Sequence, residues 1–267
     1  MTSETRYVLV TGAGGGMGLS VVRMLRDGGF TVFALDRTPV APEEGVIPLQ
    51  ADVTDSESLA RAFDAVRAVT DSLYALCHFA GCYALDSLAE MEEKKFTRLF
   101  EVNVFGVYRV NRVFLPLLKP GSRILITSSE LAPLDPLPFT GLYAVTKSAL
   151  DKYAFSLRME VQLLGISVSV LRPGAVNTGM LGVSTAELDR FCEKTKLYAC
   201  NAKRFKAIVN AVEARHVPPE KIGKLTLRIL RAKRPGYVYA LNRNPLLLLM
   251  HLLPKRLQTF AIKLVLK

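Results

Sequence analysis

The chain has 267 residues, half of them apolar, with 35 Lys and Arg against 24 Asp and Glu, a length and composition that allow one large core and argue against disorder. The net charge of +11 belongs to the last third: 17 basic residues stand against 19 acidic ones through residue 185, and 18 against 5 beyond it. That distribution argues against a dedicated nucleic-acid module and leaves room for an anionic ligand or surface near the carboxyl end.

The amino terminus has no basic start followed by an apolar block, so a cytoplasmic chain is expected. Cys77, Cys82, Cys192 and Cys200 form no CxxC pair, and His78, His216 and His251 are scattered; reduced thiols and no metal site are expected.

Tyr7 to Val10 is a β-branched run without polar alternation, the pattern of a strand buried on both faces. It ends in Thr11-Gly-Ala-Gly-Gly-Gly-Met-Gly18, after which Met17, Val21, Val22 and Leu25 recur at helical spacing. Strand, glycine turn and helix make a phosphate cradle, because glycines admit close approach and the helix amino end offers free N–H groups. A merely tight turn is the competing reading, and the spacing is not GxGxxG. A second strand, Thr31 to Leu35, stops at Asp36-Arg37, where a carboxylate suits the hydroxyls of an adenosine ribose and repels a 2′-phosphate. Asp36 thus favours NAD(H), and Arg37, able to meet a 2′-phosphate, leaves NADP(H) open.

Val46 to Gln50 leads into Ala51-Asp52-Val53, a third strand whose end would present Asp52 to adenine, and Thr54 or Asp55 caps the helix that follows. Leu73 to Phe79 is the fourth strand, closed by Ala80-Gly81. A long helical region is expected over 91–118, holding a polar Asn103 among apolar neighbours. Arg123 to Thr127 is the fifth strand and delivers Ser128 and Ser129 at its carboxyl end. Three prolines keep 130–139 out of helix. A helix over 141–164 then carries Tyr143 and Lys147, four apart and on one face. A nearby cation favours the ionised phenol, although a core-edge ring and a solvated charge is the commoner meaning of that spacing. Ile166 to Leu171 is the sixth strand, and Gly236 to Ala240 is the candidate seventh. Strict alternation makes a doubly wound parallel α/β sheet of about seven strands, with helices on both faces and one domain over 1–267, the economical fold.

Together, Thr11-Gly-xxx-Gly16-x-Gly18, Asp36, Asp52, Ala80-Gly81, Asn103, a serine after the fifth strand, Tyr143-xxx-Lys147 and Pro173-Gly174 with Thr178 resemble the short-chain dehydrogenase/reductase family over about 6–180. The resemblance implies a Rossmann-type fold and an NAD(P)-dependent oxidoreductase. It implies Tyr143 as general acid/base, Lys147 holding the nicotinamide ribose and lowering the phenol's pKa, Ser129 on the substrate oxygen and Asn103 supporting a water. It further places the cofactor along Gly12, Gly16, Met17 and Gly18, beside Asp36, Arg37, Asp52 and Val53, under Ala80 and Gly81, and against Pro173, Gly174, Val176 and Thr178. A homodimer or homotetramer is expected with it.

Two departures stand out. The family's Asn-Asn-Ala-Gly reads His78-Phe-Ala-Gly81 here, so a compensating contact is expected, with His78 as the candidate. The family's serine lies thirteen residues before the tyrosine, where this chain has Glu130; Ser129 is therefore preferred with Ser128 the lesser candidate.

The family's substrate lid falls at 181–216, where Leu181, Phe191, Leu197, Tyr198 and Phe205 mix with Lys194, Lys196, Lys203, Arg204 and Lys206. A hydrophobic substrate with an acidic tail, steroid-, bile-acid-, retinoid- or lipid-like, suits such a lid, and a solvated basic helix face competes. The apolar, basic tail 242–267 is too interrupted to span a bilayer. Pocket closure or subunit pairing is the preferred reading of it, and an anionic membrane surface the alternative. A sensor or scaffold that kept the fold and lost turnover is the rival to an enzyme.

Overall fold

The computed structural model describes residues 5–212 and 216–267. The first four residues, 213–215 of the expected lid and the side chains of Leu181, Ala211 and Val212 lie outside the described residues. The elements run β1 (Tyr7–Thr11), α1 (Gly16–Asp27), β2 (Thr31–Asp36), β3 (Val46–Gln50), α2 (Ser56–Arg67), β4 (Leu73–His78), α3 (Glu93–Phe100), α4 (Gly106–Phe114), β5 (Leu118–Thr127), α5 (Gly141–Val161), β6 (Ser167–Pro173), α6 (Gly179–Lys194), α7 (Ala199–Val212), α8 (Glu220–Arg231), β7 (Val238–Leu241), α9 (Pro245–Leu252) and α10 (Lys255–Leu266). The seven strands form one parallel sheet in the order β3-β2-β1-β4-β5-β6-β7.

The strand order reverses between β1 and β4, which are hydrogen-bonded neighbours, so the turns after them diverge and leave a crevice at the carboxyl edge. The register brings the strand ends to one level: Thr11 pairs with Leu35 and His78, His78 with Ile126, and Thr127 with Leu171. Two cores flank the sheet. Leu9, Phe33, Leu76 and Ile124 of the strands pack on one face with Phe114 of α4, Leu59 of α2 and Leu150 of α5, while Val8, Val32 and Leu125 pack on the other with Val21 of α1 and Ile222 of α8. Uninterrupted apolar strands are what burial on both faces requires.

The single helix expected over 91–118 is broken. A π-helical turn, Glu101–Phe105, separates α3 from α4, and a short 3-10 turn over Leu115–Leu117 feeds β5 five residues earlier than expected. Apolar spacing does not distinguish i→i+4 from i→i+5 bonding over one turn, and such turns concentrate at functional sites. Of the two cap candidates for α2, Asp55 does the work, its Oδ1 accepting from Glu57 N–H at 2.9 Å.

Candidate active site

Tyr143 and Lys147 lie in the first two turns of α5, which is pinned to the sheet by Arg172 of β6: its Nε donates to Asp151 Oδ2 at 2.8 Å. The Lys147 ammonium lies 5.7 Å from the Tyr143 ring centroid and donates to the Thr127 carbonyl, at the end of β5, at 3.1 Å. Lys147 is buried, and burial pushes its pKa down to about 8, with Cys82 and Asp151 opposing. The half-buried phenol of Tyr143 is held above the ordinary tyrosine range, by burial first and then by the Tyr83 ring, while Ser129 opposes the rise.

The two serines after β5 point in different directions. Ser129 Oγ accepts from Leu131 N–H at 3.2 Å and lowers the pKa of the Tyr143 phenol, whereas Ser128 Oγ donates to the Lys147 carbonyl at 3.3 Å. Glu130, in the position the family fills with serine, accepts from Asn244 N–H through Oε2 at 2.6 Å and so faces the turn after β7. Burial raises its pKa, against the Asn244 bond and Arg243. The loop between Ser129 and α5 is held by Ser148, whose Oγ donates to the Ala132 carbonyl at 2.7 Å, and Phe139 takes a left-handed conformation (φ 66°).

Asn103 sits in the π-helical turn, 1% exposed. Its Oδ1 accepts from Cys82 N–H at 2.9 Å while Nδ2 donates to the Cys82 carbonyl at 3.0 Å and to Thr146 Oγ1 at 3.2 Å. One amide therefore clamps both backbone groups of Cys82 and ties that loop to α5. Gly81, beside it, is close enough that an added Cβ would sit 3.8 Å from Lys147 Nζ.

His78 supplies the expected compensation. The ring is buried at the end of β4, and Nε2 meets Asn111 Oδ1 at 2.9 Å, with Asn111 Nδ2 donating to Tyr153 Oη at 3.1 Å. An amide oxygen only accepts, so the proton is on Nε2. Burial pushes the imidazole down to about 4, against the Asn111 bond, and keeps it neutral. Thr11 closes the rest of the gap: its Oγ1 accepts from both Phe79 N–H and Ala80 N–H at 3.2 Å.

The glycine turn fits a dinucleotide. Gly12 has φ +68°, and a Cβ there would lie 2.6 Å from Ala80 N. At Gly16 a Cβ would strike the Thr178 side chain at 2.6 Å, and at Gly18 the Gly12 carbonyl at 2.0 Å. No side chain caps the amino end of α1, whose N–H groups remain available to phosphate. Asp36 is already oriented: Oδ2 accepts from Gly14 N–H at 2.9 Å, and Oδ1 from Thr38 N–H at 3.0 Å and Thr38 Oγ1 at 2.9 Å. Arg37 beside it is exposed, Met17 packs under α1's core, and Val53 is buried against Gly106. Asp52 Oδ1 accepts from Thr54 N–H at 2.8 Å and its hydroxyl at 2.7 Å; burial raises its pKa, but these bonds and Arg98 outweigh it and the net shift is downward. Pro173 ends β6, Gly174 leaves no room for a side chain, with a Cβ 2.0 Å from the Asn242 carbonyl, and Val176 bridges Val217.

α6 and α7 occupy the stretch where a substrate lid is expected, and their aromatics turn inward. Phe139 packs on Phe191, Tyr198 and Phe205 with ring centroids 4.5, 5.3 and 5.3 Å apart. Tyr83 belongs to the same cluster and lies 4.9 Å from the Tyr143 ring, joining lid to site. Glu90 fastens the α6–α7 turn by accepting from Thr195 Oγ1 and the N–H groups of Lys196 and Leu197. Among the lid cations, Lys206 pairs with Asp189 at 2.6 Å. Leu266 of α10 enters the cluster, Asn201 Nδ2 donates to its carbonyl at 2.6 Å, and Asp135 binds His251, Lys255 and Gln258. The tail therefore packs on α7 and on the loop that carries Asp135. Tyr83 and Phe139 carry no motif or periodicity, so sequence reasoning passed over them.

A glycine turn at a strand-order reversal, an oriented carboxylate after β2 and a Tyr-Ser-Lys group on the same edge define a dinucleotide-linked oxidoreductase site on a doubly wound sheet. The short chain dehydrogenase family model matches residues 6–189. A 3-ketodihydrosphingosine reductase of Bacteroides thetaiotaomicron is 26% identical over 235 residues, covering 88% of this chain and 87% of the relative. Estradiol 17-beta-dehydrogenase 2 of Mus musculus is 34% identical over 191 residues, 67% of this chain but only 50% of that protein's length. A short-chain dehydrogenase structure from Streptomyces avermitilis superposes with TM-score 0.76 at 22% identity, covering 98% and 96% of the two chains. The chain belongs to the short-chain dehydrogenase family and is an oxidoreductase of that type.

Proposed function

We propose that the protein interconverts a hydrophobic secondary alcohol and its ketone with NAD(H) as the preferred cofactor. The observation that carries this reading is the Tyr143 phenol, its pKa raised by burial and lowered by Ser129, one helical turn from a buried lysine at the edge where the glycine turn opens. Gly12, Gly16, Gly18 and the amino end of α1 would hold the pyrophosphate, Asp36 the adenosine ribose, Lys147 the nicotinamide ribose and Thr178 the carboxamide end. The nicotinamide, when bound, supplies the acceptor or donor of hydride. Tyr143 holds the proton at the substrate oxygen, giving it up in ketone reduction and taking it in alcohol oxidation. The Ser129 hydroxyl donates to the same oxygen as negative charge develops there. Asn103 acts at one remove, fixing the Cys82 loop over Lys147.

Tyr83 links Tyr143 to an aromatic lid, which supports an apolar substrate. The names of two relatives, for 3-ketodihydrosphingosine and estradiol, point the same way. The test is a panel of sphingoid, steroid and retinoid ketones and alcohols, followed by nicotinamide absorbance. Turnover of at least one apolar member, a ketone with NADH or an alcohol with NAD+, is expected; turnover confined to small polar carbonyls and alcohols would remove the substrate assignment.

A further inference from the structure

The tail has a second face that the lid does not use. Gln258, Ile262 and Leu266 turn inward. On the outside, Leu252 is 79%, Leu264 70% and Phe260 64% exposed, with Leu249 and Leu257 beside them. A helix apolar on both sides is ordinarily buried, and this one is covered on one side only. At about 100° per residue, Arg256, Lys263 and Lys267 of α10 fall within about 40° of one another, and Phe260, Leu264 and Leu257 occupy the adjoining sector of about 60°. All three cations are exposed, and none forms an ion pair among the described residues. From 242 to 267 there is no Asp or Glu.

We propose that the outward face of α9 and α10 docks on an anionic lipid bilayer. An apolar stripe bordered by unpaired cations matches the boundary between acyl chains and acidic headgroups. No helix among the described residues is long and apolar enough to cross a membrane, so the contact is interfacial. A second copy suits this face poorly, because a two-fold contact would set the three cations against themselves. Phe105, Tyr108, Phe155 and Met159, exposed around α4 and α5, offer a copy another apolar surface. Docking also sets the lid at the membrane, since the inner face of α10 packs on the cluster that reaches Tyr143 through Tyr83. The docking stands whether or not the alcohol assignment does.

The experiment is flotation of the full chain with vesicles of phosphatidylcholine alone or mixed equally with phosphatidylglycerol. Binding is expected to the mixed vesicles only and to weaken with salt. Arg256→Gln/Lys263→Gln/Lys267→Gln should lower partitioning by about a hundredfold. Phe260→Glu/Leu264→Glu should lower it at least as far while far-ultraviolet circular dichroism and NADH binding, read by fluorescence, stay as in wild type. No preference for anionic vesicles overturns the proposal, as does binding untouched by either variant. Sedimentation that shows a dimer in lipid-free buffer, lost in Phe260→Glu/Leu264→Glu, would give the face to a second copy instead.

Discussion

Ser129 is the hydroxyl that lowers the pKa of the Tyr143 phenol, against burial, although it stands fourteen residues before it, one more than the family spacing. The loop between them is tied down by Ser148, whose Oγ donates to the Ala132 carbonyl, and takes a left-handed turn at Phe139 (φ 66°). Spacing along a chain constrains a site only through the path between its members, and here the path has changed while the pair has not.

Ser129→Ala removes the donor to the substrate oxygen and should lower kcat by about a hundred- to a thousandfold. Ser128→Ala, whose hydroxyl meets the Lys147 carbonyl, should change kcat by only a few-fold, about the worth of one neutral hydrogen bond. Steady-state kinetics of the two variants separates them. Glu130→Ser should not rescue Ser129→Ala, because position 130 faces Asn244.

Asp36→Ala removes the charge that opposes a 2′-phosphate, a repulsion of about 1 to 4 kcal/mol at close range. Wild type should bind NADH at least about tenfold more tightly than NADPH, and the variant should lose that margin. Fluorescence titration of both cofactors measures it; an undiminished NADH preference in the variant would count against the role given to Asp36.

The neutral, buried His78 predicts acid sensitivity. Its folded pKa of about 4 lies below the unfolded value of 6.5, so its contribution is complete above the unfolded value. It is lost as pH falls through that window toward 4, by up to about 3 kcal/mol. His78→Gln, which keeps a donor for Asn111, should show a flatter stability profile in urea unfolding from about pH 7 to pH 4. Parallel profiles would exclude His78 as the cause.

Asn103→Ala leaves Cys82 N–H and C=O without their partner, which should cost about 2 to 4 kcal/mol. Chemical denaturation reads that loss directly. Asn103→Asp keeps the acceptor for Cys82 N–H but not the donor to its carbonyl, and should fall between wild type and alanine.

The sheet, its strand ends and the glycine turn were legible because buried parallel strands and phosphate turns leave local marks: apolar runs over 7–10 and 73–79, and glycines at 12, 16 and 18. Ser129, Asn103 and Asp36 were found from their places at strand or helix positions. What was not legible depends on contacts remote in sequence. The clamp of Asn103 on Cys82 spans 21 residues and rests on a π-helical turn that apolar periodicity does not reveal. Tyr83 and Phe139 reach the site through ring packing with a lid more than 50 residues further on, and nothing local announces them. The expectation for the tail is pocket closure or subunit pairing; its inner face packs on the α6–α7 cluster, and recognising its exposed outer face requires knowing which side α7 covers.

The central claim is that the Tyr143 phenol handles the proton at the reacting oxygen. Tyr143→Phe keeps the ring and removes only the hydroxyl, so NADH binding should stay within a few-fold of wild type. Under single-turnover conditions with the best apolar ketone of the panel, NADH oxidation should slow by about a hundred- to ten-thousandfold. Turnover by the phenylalanine variant at the wild-type rate would contradict the account.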